Sequence, residues 1–124
     1  MNSRFDVISL IKKTYADAQE ISDGNFAIPF DLGGGRAHPV FFLVEENQIW
    51  ITSPFARTSS ITDEDALDAN RGYLCGIGKD ETWFSVRHVL PFSNLDSDGL
   101  KSGLRFVLAD AHEINLELGL VDDL

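Results

Sequence analysis

The residues with the types to do chemistry are few and scattered. Cys75 and His88 fall on neighbouring predicted strands, where a thiol and an imidazole could meet. A thiolate nucleophile needs an adjacent base and some exposure. Cys75 instead shares an alternating face with Tyr73 and Ile77, and His88 shares one with Val86 and Leu90. Both read as packed structural side chains. His38, His88 and His112 lie on three separate elements without ligand spacing, so no metal site is expected. Asp63-Glu64-Asp65 and Asp96-Ser97-Asp98 gather carboxylates but lack the rest of a calcium loop, and the first reads as a solvated helix start. Gly33-Gly34-Gly35 has the composition of a phosphate-cradling loop. No Lys-Ser/Thr follows it and no helix opens there, so it matches neither a Walker nor a dinucleotide motif. It reads as a hairpin connection into a strand starting at Arg36 and His38. An anion-binding nest in the Gly33–His38 loop, at Gly34, Gly35 and Arg36, is the alternative, and would make the chain a small-ligand or signalling domain. No catalytic residue and no cofactor is expected, and an enzyme is not the expectation.

Composition narrows the classes further. A chain of 124 residues fits one domain. Its 20 acidic and 10 basic residues give a formal charge of −10, which disfavours nucleic acid and anionic membranes as partners. One cysteine cannot form an internal disulfide, which points to a reducing compartment. No apolar run of signal-peptide type or bilayer-spanning length is seen, so the expected location is cytoplasmic.

The elements that would position any site come from periodicity. Ser3 to Gln19 reads as a helix with Phe5, Ile8, Ile11, Tyr15 and Ala18 buried, capped by Ser3 with Asp6 near its positive end. Phe26, Ile28 and Phe30 alternate as in a half-buried strand, and Pro29 predicts that this strand lies at a sheet edge. Val40–Glu45 and Gln48–Pro54 flank a turn at Glu46-Asn47, which sets Val44 against Ile49, Leu43 against Trp50, Phe42 against Ile51 and Phe41 against Thr52. Ser59 to Asn70 reads as a short helix capped by Thr62 and anchored by Ile61, Ala66 and Leu67. Tyr73–Gly78 and Thr82–Leu90 form a second hairpin. In the second of those strands Phe84, Val86, His88 and Leu90 share one face, and Trp83, Ser85, Arg87 and Val89 the other. A long helix follows, capped by Asn94 or Asp96 and stopped by Gly119. Its stripe is Leu100, Leu104, Val107, Leu108, Ala111, Ile114 and Leu118, with Asp110, Glu113 and Glu117 facing water. Gly99 and Gly103 weaken it, each by up to about 1 kcal/mol relative to alanine. The expected architecture is one α+β domain of order α-β-β-β-α-β-β-α, an antiparallel sheet with the N- and C-terminal helices packed on one face.

Ala66-Leu-Asp-Ala-Asn70, the strands Tyr73–Ile77 and Phe84–Leu90-Pro91, and Leu95-Asp96 leading into Leu100, Leu104 and Leu108 carry a family resemblance. With the Gly34-Gly-Arg36 opening before an apolar strand, the chain resembles the type III secretion chaperone-like fold and its YbjN-like relatives in bacteria. The resemblance covers most of the chain as a pattern. It implies no catalytic residues, and it implies dimerisation and the holding of a partly unfolded client along hydrophobic surface. The surface for this is the second sheet face, where Phe41, Leu43 and Trp50, continued by Trp83, are too apolar for a merely solvated face. A homodimer or a protein partner bound through that face is therefore expected.

Overall fold

The computed structural model describes residues 3–33, 36–73 and 75–120, and at 31–33, 36 and 37 the backbone alone. The elements run α1 (Arg4–Thr14), β1 (Gln19–Ser22), β2 (Asn25–Gly33), β3 (Arg36–Val44), β4 (Gln48–Arg57), α2 (Asp63–Ala69), β5 (Gly76–Lys79), β6 (Trp83–Pro91) and α3 (Ser97–Glu117). The strands make one sheet in the order β1-β2-β3-β4-β6-β5, antiparallel throughout. The expected α+β class and element order hold, with β1 added.

β1 replaces the expected end of the first helix. The helix stops at Thr14, and Gln19 and Glu20 pair with Ala27 and Phe26. All four β1 residues are exposed, so this strand has no apolar alternation to announce it. The Ser3–Asp6 capping box forms as the sequence suggests. The buried stripe of α1 differs from expectation: Val7 and Ile11, one turn apart, face the core, while Phe5 is 76% exposed. α2 also turns differently. Leu67 points outward and the small Ala66 is the buried anchor, with Ala69 packed at the core margin. Nor is β2 an edge strand along its whole length. β1 covers it as far as Ala27 and then ends, so Pro29 lies on the stretch with an open flank, where its missing N–H is not needed.

The β3–β4 register matches the expected hairpin at all four pairs, and Val40, Phe42, Val44, Ile49 and Ile51 are all buried. That ladder ends at Phe41 and Thr52. The next hydrogen-bonded pair would set Pro39 against Pro54, and neither has an N–H to give. Side chains take over. The Ser53 hydroxyl donates to the Pro39 carbonyl at 2.7 Å, and the His38 imidazole Nε2 donates to the Pro54 carbonyl at 2.7 Å. His38 is buried, and that burial lowers its pKa from 6.5, more than the Pro54 hydrogen bond raises it. Beyond Pro54 the β4–β6 register shifts, which breaks the alternation and leaves Ser53, Pro54, Phe55 and Ala56 all buried.

α3 packs across β4 and β6 on the same side as α1. Tyr15, just past α1, meets Phe42 and Phe30, and α3 is seated at Gly103. A Cβ there would lie 3.0 Å from both Ile51 Cδ1 and Leu90 Cδ1, so the glycine is the close approach of helix to sheet and not a weak point. Asp96 caps α3 by accepting from the Gly99 amide at 2.8 Å, whereas Asn94 takes a φ of 63° in the preceding turn. The helix ends in a Schellman arrangement: Gly119 N–H donates to the Leu116 carbonyl and Leu120 N–H to that of Asn115. Two polar residues of α3 face inward, contrary to expectation for Asp110. Its carboxylate accepts the Cys75 amide at 3.0 Å. Asn115 donates at 2.8 Å to the carbonyls of Phe55, at the β4 irregularity, and Leu120.

Three outcomes follow for stability. Gly103→Leu is expected to lower it by about 1–3 kcal/mol through overpacking, against a propensity gain of up to about 1 kcal/mol; urea unfolding measures the difference. Asn115→Ala leaves the Phe55 carbonyl without its donor and is expected to lower the urea midpoint by an amount equivalent to about 1–3 kcal/mol. For His38 the folded pKa lies below the unfolded value of 6.5, so the unfolded chain binds more protons as pH drops below 6.5. Stability should be full above pH 6.5 and fall as pH drops towards the folded pKa, by at most about 1.4 kcal/mol per pH unit from this residue. His38→Gln should flatten that part of the pH profile.

Candidate functional site

Both long helices lie on the Phe42–Ile51 side, which leaves the other side of the sheet to its own strands. Two rows of outward residues follow from the register. Asn25, Leu43, Trp50 and Val89 line up across β2, β3, β4 and β6, and Ala27, Phe41, Thr52, Arg87 and Gly76 line up in the next row, ending on β5. Farther along, Pro54 pairs with Ser85 and Arg57 with Trp83. Of these, Asn25, Phe41, Leu43, Trp50, Thr52, Pro54, Trp83, Ser85 and Arg87 border a trough of about 500 Å3 whose walls come from strands and from Asp80 in the β5–β6 turn, with no helix residue among them. Leu43 and Ile21 are exposed large apolar residues along it, and exposed Val89 lies beside Trp50.

The aromatic side chains are fixed by polar neighbours. Trp50 donates its Nε1–H to the Glu45 carboxylate at 2.7 Å, which also accepts from Gln48 at 2.8 Å. The Arg87 guanidinium carbon sits 4.7 Å from the Trp50 ring centroid, and that of Arg57 sits 4.7 Å from the Trp83 centroid. Asp80 closes the turn before Trp83 by accepting the Thr82 and Trp83 amides at 2.7 Å. Each indole thus has one face covered by a guanidinium from within the chain, and the N–H of Trp50 is met by Glu45 as well.

Phe41, Leu43, Trp50 and Trp83 all border this one trough. Sequence reasoning did not single out Ile21, because β1 was not foreseen, nor Val89 and Arg87, which become neighbours of Trp50 and Thr52 only once β6 is placed beside β4. Gly34 and Gly35 lie outside the described residues, as does the side chain of Arg36. Of the anion-nest alternative, only the backbone pairing of Gly33 with Arg36 is seen.

The side chains with reactive chemistry are engaged structurally. Burial pushes the Cys75 thiol up to about 12, with Asp110 adding to the effect, so the thiol is not poised as a nucleophile. The β5–β6 ladder stops at Gly76 and Arg87, one step short of bringing Cys75 opposite His88. Tyr73 is likewise raised to about 12, chiefly by its hydrogen bond to Glu117 at 2.6 Å. His38 and His112, on separate elements, come together edge to face with ring centroids 6.1 Å apart. With the Nε2 of His38 given to Pro54, that nitrogen is not available to a metal. Among the described residues no group of three metal-ligating side chains occurs, and no helix is long and apolar enough to cross a membrane. Asp63 pairs with Lys79 at 2.7 Å, and the Thr62 hydroxyl caps α2 by accepting the Asp65 amide.

No family model matches the chain, and no curated protein matches it in sequence. Solved structures do. A chain of the HopA1–SchA chaperone–effector complex superposes with a TM-score of 0.71 over 91% of this chain and 95% of its own, at 11% identity. A chain of the Yersinia pestis complex of the type III secretion chaperone SycH with a stable fragment of YscM2 superposes with a TM-score of 0.58, covering 86% of this chain and 97% of its own, at 16% identity. The resemblance read from the sequence is thus met at the level of fold: this chain has the architecture of the type III secretion chaperones.

Proposed function

We propose that this chain is a non-enzymatic, chaperone-like binding domain that takes a protein partner, or a second copy of itself, on the outer face of its sheet. The observation that carries this is the trough bordered by Phe41, Leu43, Trp50 and Trp83, which the chain's own helices leave uncovered. Contiguous apolar surface of this kind marks interaction sites, and tryptophan is enriched among residues that dominate binding energy. The fold shared with chains from two chaperone complexes supports the same reading. So do the buried thiol and the absence, among the described residues, of a metal-ligating group. A lone buried cysteine also fits a cytoplasmic setting. Kinship with YbjN-like proteins is a narrower part of the proposal and rests on the sequence pattern around Ala66–Asn70 and its following strands.

Leu43→Ser with Trp50→Ser should abolish capture of the partner, or should convert a dimer to a monomer in light scattering over a concentration series. Each side chain points away from the core, so circular dichroism should change little; losing the Glu45 hydrogen bond and the Arg87 stacking should lower stability by about 1–2 kcal/mol at Trp50, without unfolding the domain. A double variant that unfolds would place these side chains in the folding core. One that folds and still binds or dimerises would move the interface elsewhere.

A further inference from the structure

The two tryptophans stand near opposite ends of the outer trough, and a cation lies between them. Trp50 pairs across β4–β6 with Val89, Thr52 with Arg87, and Trp83 with Arg57. From Trp50 to Arg57 along β4 is about 23 Å at roughly 3.3 Å per residue. Arg87 is held in place within this span. Its stem crosses Gly78, where an added Cβ would overlap Arg87 Cδ, and its guanidinium stacks on the Trp50 ring.

The nearby acids are committed elsewhere. Glu45 serves Trp50 and Gln48, Asp80 serves two backbone amides, and Asp63 serves Lys79. In a chain with twenty acidic and ten basic residues, no carboxylate among the described residues pairs with Arg87. Stacking uses the face of a guanidinium and leaves its N–H edge for a planar acceptor, and a carboxylate matches that edge with two parallel hydrogen bonds.

We propose that the trough takes an extended segment of a protein partner whose Asp or Glu side chain seats on Arg87, with apolar side chains toward Leu43 and Trp50 on one side and toward Trp83 on the other. This rests on the binding role assigned above to the outer face, and specifies the chemistry of its ligand. The register sets the spacing. Trp50 lies two residues along from the Thr52–Arg87 pair, and Trp83 four residues from Arg87. An extended ligand therefore carries an apolar residue two positions from the acid on one side and another about four positions away on the other. All three point to the same face of the segment.

Selection of twelve-residue peptides from a random library on the full chain tests this. The enriched peptides and their Asp→Asn or Glu→Gln forms are then titrated by fluorescence anisotropy against the wild type, Arg87→Gln and Trp50→Ser. The expected result is enrichment of an acid with apolar residues at those spacings, a loss of about tenfold or more when either the acid or Arg87 is neutralised, and no further loss when both are. Salt should weaken the acidic peptides more than their neutral forms. If Arg87→Gln misfolds, the neutral peptides carry the same comparison on the wild type. Peptides without acid preference that lose affinity on Trp50→Ser would overturn the proposal and leave the binding face standing. An empty selection, or binders indifferent to Trp50→Ser, would overturn both.

Discussion

The seating of α3 on β4 and β6 is the contact on which the rest of this molecule depends. It is close because position 103 has no Cβ, so the tips of Ile51 and Leu90 approach the helix backbone. Once the helix lies there, its apolar stripe covers the middle of the sheet, and Asp110 and Asn115 tie it to the start of β5 and to the β4 irregularity. α1 joins it on the same side through Val7 and Ile11, with Tyr15 against Phe42. A two-layer domain built in this way buries one face of its sheet and leaves the other to be solvated or bound. That no helix among the described residues covers the outer face is thus a consequence of where the helices sit.

Around His38 and Ser53 the regular ladder fails for a covalent reason. Two prolines meet where the register asks for N–H donors, and the chain meets the demand with an imidazole and a hydroxyl. The same corner holds the β4 register shift and receives Asn115 from α3. Three buried side-chain donors at one end of the sheet do the work that backbone amides do elsewhere, and one of them titrates.

The parts of this architecture legible in the sequence are those with a clean period. The β3–β4 hairpin could be read to the residue because two apolar runs flank a two-residue turn at Glu46-Asn47 that sets their register, and the α3 stripe because its spacing follows a helical turn. β1 was invisible because Gln19–Ser22 has no buried member and is a strand only through its backbone pairing with β2. Asp110 and Asn115 were misjudged or passed over because periodicity assigns polar positions to water, whereas these two answer distant backbone groups. Gly103 looked like a helix defect for the same reason: its partner is on another element. The shared outward placement of Phe41, Leu43, Trp50 and Trp83 was legible from the hairpin register and the alternation of Thr82–Leu90. The place of Arg87 beside Trp50 was not, since it needs the knowledge that β6 inserts between β4 and β5.

A binding role for the outer face requires that this face be free in the isolated chain. The chain has two tryptophans, and both lie on that face. Quenching of their fluorescence by acrylamide, followed as the protein is diluted, reads the exposure of that face directly. Both indoles should be accessible to the quencher in the dilute native protein, with emission characteristic of partly hydrated rings. Blue-shifted emission that resists quenching at every concentration would show that the chain covers the face itself, and would contradict the account.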